Sequence, residues 1–191
     1  DFDKGKTRFL NDRQGLSVAA ATGLFIDSEN RIWVGTEENG ISIIDESRGN
    51  IQHLGSAQGF TQSIHHFTEG NDHKVWMSSN EGAYIYDPNK ASFQKLDAVK
   101  GLSDDLLNIT FLDRQGQIWI ATGTALNRMD ADGWMPNFPT AADRLSGPDV
   151  WSFFEDQNSE LWIGSRQGID IYDPSTNRIK KIDNGLQLTK S

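Results

Sequence analysis

The chain has 191 residues, no cysteine, a formal net charge of −9 and an isoelectric point near 4.8. The acidic balance argues against a nucleic-acid partner, which demands a basic stripe, and Lys180-Lys181 is the only adjacent basic pair. Without cysteine there are no disulfides, thiolate metal sites or cysteine nucleophiles, and no apolar run approaches the ~20 residues that cross a bilayer.

In chain order, residues 1–14 read as the outer strand of a preceding unit. Asp3 to Leu10 matches Asp173 to Lys180 in residue type, with Arg five residues after the Asp in both. The opening Asp1-Phe2-Asp3-Lys4 is charged, unlike a signal peptide. A full unit then occupies residues 15–57. Gly15-Leu16-Ser17 is a loop, and Ala21 to Ile26 is a strand rich in small residues. Asp27-Ser28-Glu29-Asn30 is a tight turn. Arg31 to Val34 is a strand around Trp33, and Gly35 to Gly40 is a loop. Ile41 to Ile44 is a third strand, and Asp45 to Asn50 turns into a fourth at Ile51 to Leu54.

The stretch Arg31-Ile32-Trp33-Val34-Gly35-Thr36 returns around Trp76, Trp119 and Trp162, 43 residues apart each time. Spacing without drift over three intervals marks a repeat architecture. The units are 15–57, 58–100, 101–143 and 144–184, and residues 185–191 resemble the opening of another. Turns recur at Asp113-Arg114-Gln115-Gly116 and Asp156-Gln157-Asn158-Ser159, and third strands at Ala83 to Tyr86 and Ile169 to Tyr172. Four short strands per ~40–45 residues, with no helical period, predict an all-β fold of β-propeller blades. Ending and starting in the same phase, the chain is expected to be a segment of a larger propeller. The tryptophans between aliphatic neighbours are expected in the core. The third unit has Gly133-Trp134-Met135-Pro136-Asn137-Phe138-Pro139 where its fourth strand falls. Two prolines are tolerated there only on an edge strand, with Trp134 either folded onto the blade or exposed for stacking.

Gly101-Leu102-Ser103, Leu107, Phe111-Leu112-Asp113, Gly116 and Ile118-Trp119-Ile120-Ala121-Thr122 together resemble the two-component regulator propeller repeat. The fourth unit is closer still, with Leu145-Ser146, Val150, Glu155-Asp156, Leu161-Trp162-Ile163-Gly164-Ser165, Gly168-Ile169 and Tyr172-Asp173-Pro174. The second departs most, with Gly59-Phe60-Thr61 shifted by one residue and Glu69-Gly70-Asn71-Asp72 at the turn. The resemblance implies a periplasmic sensing part of a bacterial membrane receptor, with a histidine kinase or diguanylate cyclase as the output inside the cell. It brings no catalytic residues.

No catalytic or metal constellation stands out among the residues themselves. His65 and His66 point to opposite sides of a strand, His53 and His73 lie apart, and none has zinc-like spacing. Asp156 to Glu160 alternates oxygen ligands but lacks the glycine and distant Glu of a calcium loop. No cofactor is called for. Binding is better founded. Eleven residues before each Trp stand Thr22, His65, Asn108 and Trp151, on the strand that lines a propeller's channel. A column that varies while its scaffold repeats is free to specialise. The loops after the Trp strands vary as well, through Glu37-Glu38-Asn39, Asn80-Glu81, Gly123-Thr124 and Arg166-Gln167. They are expected on the same face as the Gly-Leu-Ser loops. Candidate ligand contacts are therefore Thr22, His65, Asn108, Trp151, Glu37, Glu38, Asn80, Glu81, Arg166 and Gln167. A small molecule or oligosaccharide is the expected ligand, and further blades of the same chain or another copy are expected partners. Two other readings stay open: a scaffold that docks proteins, and a propeller enzyme related to streptogramin lyase.

Overall fold

The computed structural model describes residues 10–16, 20–38, 40–130, 133–138 and 145–181. Residues 1–9 of the expected outer strand, the opening at Gly185-Leu186, and Ser17 and Asn39 of the loops lie outside these. Among the described residues sixteen strands form four antiparallel sheets, each built from four strands consecutive in the chain. The fold is all-β, as the repeat predicts. Among the described residues no helix is long and apolar enough to cross a membrane.

The first blade comprises β1 (Ala21–Ile26), β2 (Ile32–Thr36), β3 (Ile41–Asp45) and β4 (Asn50–Leu54). The second comprises β5 (Ile64–Glu69), β6 (Val75–Ser79), β7 (Gly82–Asp87) and β8 (Ser92–Leu96). The third has β9 (Leu107–Leu112), β10 (Ile118–Thr122), β11 (Leu126–Asp130) and β12 (Gly133–Phe138). The fourth has β13 (Val150–Glu155), β14 (Leu161–Ser165), β15 (Gly168–Asp173) and β16 (Arg178–Lys181). The Trp strands run two residues further than expected, through the small residue to the hydroxyl.

That hydroxyl has one task in all four blades. Thr36 Oγ1 donates to Gly40 O at 2.8 Å and Ser79 Oγ to Gly82 O at 2.7 Å. Thr122 Oγ1 donates to Ala125 O at 2.9 Å and Ser165 Oγ to Gly168 O at 3.2 Å. Each bond closes the turn from second to third strand, and in the first and third blades it adds a second donor to a carbonyl that already accepts the backbone N–H of Thr36 or Thr122. Gly40 and Gly82 begin two of these third strands at positive φ, 74° and 116°. A Cβ at either would lie within 2.4 Å of a carbonyl oxygen, Leu54 O or Leu96 O. Only glycine fits there.

The chain divides into two compact units, residues 1–66 and 67–191. In the first, Trp33, Ile41, Phe60 and Ile64 are fully buried. In the second, the core is shared between consecutive blades. Trp76, Ala83 and Ile85 of the second blade pack with Leu102, Leu107, Ile118 and Ile120 of the third. Trp119, Ala121 and Leu126 of the third pack with Val150, Leu161, Ile163 and Tyr172 of the fourth. A buried cation crosses the latter interface. Arg128 Nη1 donates to Tyr172 Oη at 3.0 Å, and its guanidinium lies 5.6 Å from the Trp119 ring centre. Tyr172 Oη donates in turn to Asn177 Oδ1 at 3.0 Å.

The fourth strand of the third blade exists despite its prolines. The pairs Leu126↔Phe138 and Arg128↔Met135 leave Pro136 and Asn137 opposite one residue, so Pro136 sits in an irregularity of an outermost strand. That is where a residue without an N–H is tolerated. The side chain of Trp134 lies outside what is described.

Candidate functional site

The aspartate of the first turn belongs to the scaffold. Asp27 Oδ2 accepts from Trp33 Nε1 at 2.7 Å, Asp113 Oδ2 from Trp119 Nε1 at 2.7 Å, and Asp156 Oδ2 from Trp162 Nε1 at 3.2 Å. Its other oxygen accepts backbone N–H groups of the turn, from Glu29 and Arg31, from Gln115 and Gln117, or from Asn158 and Glu160. A buried indole N–H needs such a partner. Burial raises the Asp156 carboxyl, but the bonds from Trp162 and the turn outweigh it and hold the group below its ordinary range. Both its oxygens are thereby engaged within the turn.

The second blade has Gly70 where this aspartate stands, which is why its turn looked least regular. Asp72 Oδ1 lies 2.9 Å from where a Cβ of Gly70 would be. It accepts from Lys74 N at 3.2 Å, the part played elsewhere by the missing carboxylate.

The variable column shares one backbone setting. Thr22, His65, Asn108 and Trp151 are each the second residue of a first strand. The ladder shifts register at Thr22 (between Ala21↔Thr36 and Gly23↔Gly35), at Asn108 (between Leu107↔Thr122 and Ile109↔Ala121) and at Trp151 (between Val150↔Ser165 and Ser152↔Gly164). These are β-bulges. A bulged residue leaves the ladder, and its side chain is aimed away from the regular alternation. The side chains then diverge in use. Thr22 Oγ1 donates to Ile64 O at 2.6 Å, and Asn108 Nδ2 to Val150 O at 3.0 Å. Both therefore tie one first strand to the next. Trp151 keeps 53% of its surface exposed. His65 is half-buried beside His66, whose pKa is pushed down to about 4 by burial and by the neighbouring imidazole.

The loops after the Trp strands lie alongside the entry to the first strand of their own blade, as expected. Glu37 N donates to Ala20 O, Gly123 N to Leu106 O and Arg166 N to Asp149 O. In the second unit this brings candidates together through a residue the sequence did not single out. Asp149 accepts from Asn108 Nδ2 on one carboxylate oxygen at 2.9 Å, and its other oxygen meets Arg166 Nε at 2.9 Å. Trp151 follows two residues on, and Gln167 lies over Gly147, so close that a Cβ there would collide with it. The signal that could have found Asp149 is its column, thirteen residues before each Trp, which reads Ala20, Ser63, Leu106 and Asp149. Elsewhere the candidates do not converge this way. Asn80 is exposed, and Glu81 pairs with Lys95 Nζ of its own blade at 3.1 Å. Glu37 and Glu38 are exposed in the first unit. The Gly-Leu-Ser serines are scaffold too: Ser103 bonds Asn127 and Thr122, and Ser146 bonds the fully buried Asp170.

The two component regulator propeller model matches residues 9–38 and 144–167. No curated protein sequence matches the chain. Among solved structures, the extracellular domain of a hybrid two component system from B. thetaiotaomicron is similar, with 22% identity and a TM-score of 0.71. That likeness covers 91% of this chain and 23% of that one. Virginiamycin B lyase from Staphylococcus aureus is similar at 17% identity and TM-score 0.65, over 88% of this chain and 57% of the lyase. A gluconolactonase from Xanthomonas campestris is similar at 16% identity and TM-score 0.56, over 86% of this chain and 62% of that one. The chain thus spans less than two thirds of each, and the likenesses establish a propeller fold that sensors and enzymes share. The repeat motif of the two component regulator propeller is matched in the first and fourth units, and the same four-stranded plan recurs in all four.

Proposed function

We propose that this chain is a ligand-binding stretch of the propeller of a bacterial membrane signalling receptor, of histidine kinase or diguanylate cyclase type. It lies outside the cytoplasm and binds rather than catalyses. The observation that carries the reading is Trp151, a large aromatic left 53% exposed at a bulge while Asn108 in its column is buried and tied. Exposing an indole forgoes the burial that the repeat-defining Trp33, Trp76 and Trp119 use for stability. Beside it, Asp149 holds the Arg166 guanidinium in place, and Gln167 adds an amide. An apolar face with fixed polar groups at its rim suits a sugar ring or another small polar molecule. The repeat type and the likeness to a sensor's extracellular domain support the same reading.

Calorimetric titration with a panel of oligosaccharides and peptides tests it. Trp151→Ala should abolish binding of whichever ligand the wild type takes up, with the unfolding midpoint unchanged. His65→Ala, in the other unit, separates a contribution of the whole column from one local to Trp151. Wild-type affinity in Trp151→Ala would remove the proposed site.

A further inference from the structure

Asp149 stands where the third and fourth blades meet, with both carboxylate oxygens engaged. One accepts from Asn108 Nδ2 at 2.9 Å, and the other meets Arg166 Nε at 2.9 Å. Asn108 is only 7% exposed and donates to Val150 O as well. The third blade therefore fixes the carboxylate, and the carboxylate fixes the guanidinium. At its other end Arg166 is held by its backbone N–H, which donates to Asp149 O. An arginine on a surface ordinarily samples many rotamers, whereas this one is tied at both ends to one residue.

The Nε contact orients the guanidinium without using its far edge. Among the described residues neither Nη of Arg166 has a hydrogen-bond partner, and the side chain is 72% exposed. The place is open in the repeat itself: Asn80, its counterpart four residues after Trp76, is exposed in a blade that packs on the next. Two Nη groups side by side form a planar fork whose spacing matches the two oxygens of a carboxylate. Trp151, two residues after Asp149, offers a ring face, and the Gln167 amide is next to Arg166 in the chain. We infer, building on the binding site proposed above, that its ligand is a sugar acid, whose ring lies on Trp151 and whose carboxylate is gripped by the two Nη groups. The charge of Asp149 is already matched by Arg166 Nε and Asn108, which leaves the far edge of the guanidinium to the ligand. A neutral sugar would leave that fork to water.

Calorimetric titration with the trimer of galacturonic acid and with its methyl ester, at one ionic strength, tests this. The acid should bind more tightly than the ester by about tenfold or more, since the ester keeps the ring and loses only the charge. Arg166→Gln should weaken the acid and leave the ester unchanged, which removes the gap. Arg166→Lys, with the charge but not the fork, should restore little of it. Trp151→Ala should weaken both probes alike. Arg166 is exposed, so wild-type unfolding midpoints are expected in its variants. An ester as tight as the acid, or a gap that persists in Arg166→Gln, would overturn the sugar acid while leaving the binding site standing. Uptake of neither probe would also overturn it, and the wider panel of oligosaccharides and peptides then decides whether the site itself stands.

Discussion

Single residues in this repeat are legible as types before they are legible as roles. That an Asp stands six residues before three of the four repeat tryptophans is plain in the sequence, yet it reads as turn chemistry. The structure adds that its carboxylate accepts the indole N–H. Asp113→Ala should therefore cost about 2–3 kcal/mol, because it strands the N–H of the fully buried Trp119. Asp72→Ala, on an exposed turn, should cost under ~1 kcal/mol. Chemical denaturation of the two variants compares them, and equal losses would show that the indole bond adds nothing. Ser78 points the other way. Its hydroxyl is buried without a hydrogen bond, in a column that otherwise holds Gly35, Ala121 and Gly164. Ser78→Ala should leave stability unchanged or raise it by up to ~1 kcal/mol. His66 gives the molecule a mild acid sensitivity. Its pKa near 4 when folded lies below the ~6.5 of an unfolded chain, so unfolding takes up a proton between those values. Its contribution is whole above about pH 6.5 and is lost as pH falls through that window, by on the order of 2–3 kcal/mol. Stability measured against pH should show that slope, and His66→Gln should flatten it.

At the scale of strands and turns the sequence was read nearly to the residue. The strands placed in the first unit and the third strands at Ala83 to Tyr86 and Ile169 to Tyr172 fall where the structure has them, because period-two alternation and Asp, Gly and Asn turns repeat with the Trp. What stayed hidden was the bulge. A bulge is one unpaired residue in an otherwise ordinary strand, so it leaves no mark in hydrophobic pattern; it changes only where a side chain is aimed. The column of Thr22, His65, Asn108 and Trp151 could be singled out by its variety, but not divided into ties and exposed surface. Asp149 went unremarked for a related reason: its partners, Asn108 and Arg166, lie 41 and 17 residues away in the chain. The division makes a prediction. Asn108→Ala should cost about 1–3 kcal/mol, since it leaves Val150 O and Asp149 without their buried donor. Trp151→Ala should cost under ~1 kcal/mol, as exposed positions do. Denaturation midpoints decide between them, and a larger loss at Trp151 would mean that its indole serves the fold.

For the molecule as a whole, the consequential feature is that cores lie between blades. The third sheet buries residues against the second blade on one side and against the fourth on the other, so it owns no complete core. In such an array stability resides in the junctions, and removing a unit weakens the one that it covered. The fourth blade supplies Val150, Leu161, Ile163 and Tyr172 to the cluster around Trp119, and Tyr172 also engages the buried Arg128. A chain ending at residue 143 would keep every strand of the third blade but expose Trp119 and Leu126 and leave the Arg128 guanidinium without its phenol. Its third blade should therefore be marginal while the contacts between second and third persist. Hydrogen exchange on the shortened chain is the measurement: amides of β10 and β11 should exchange far faster than in the full chain, and those of β6 and β7 should lose the least protection. Full-chain protection in β10 and β11 would show that a blade of this repeat holds itself together, and that the shared cores are packing without consequence for stability.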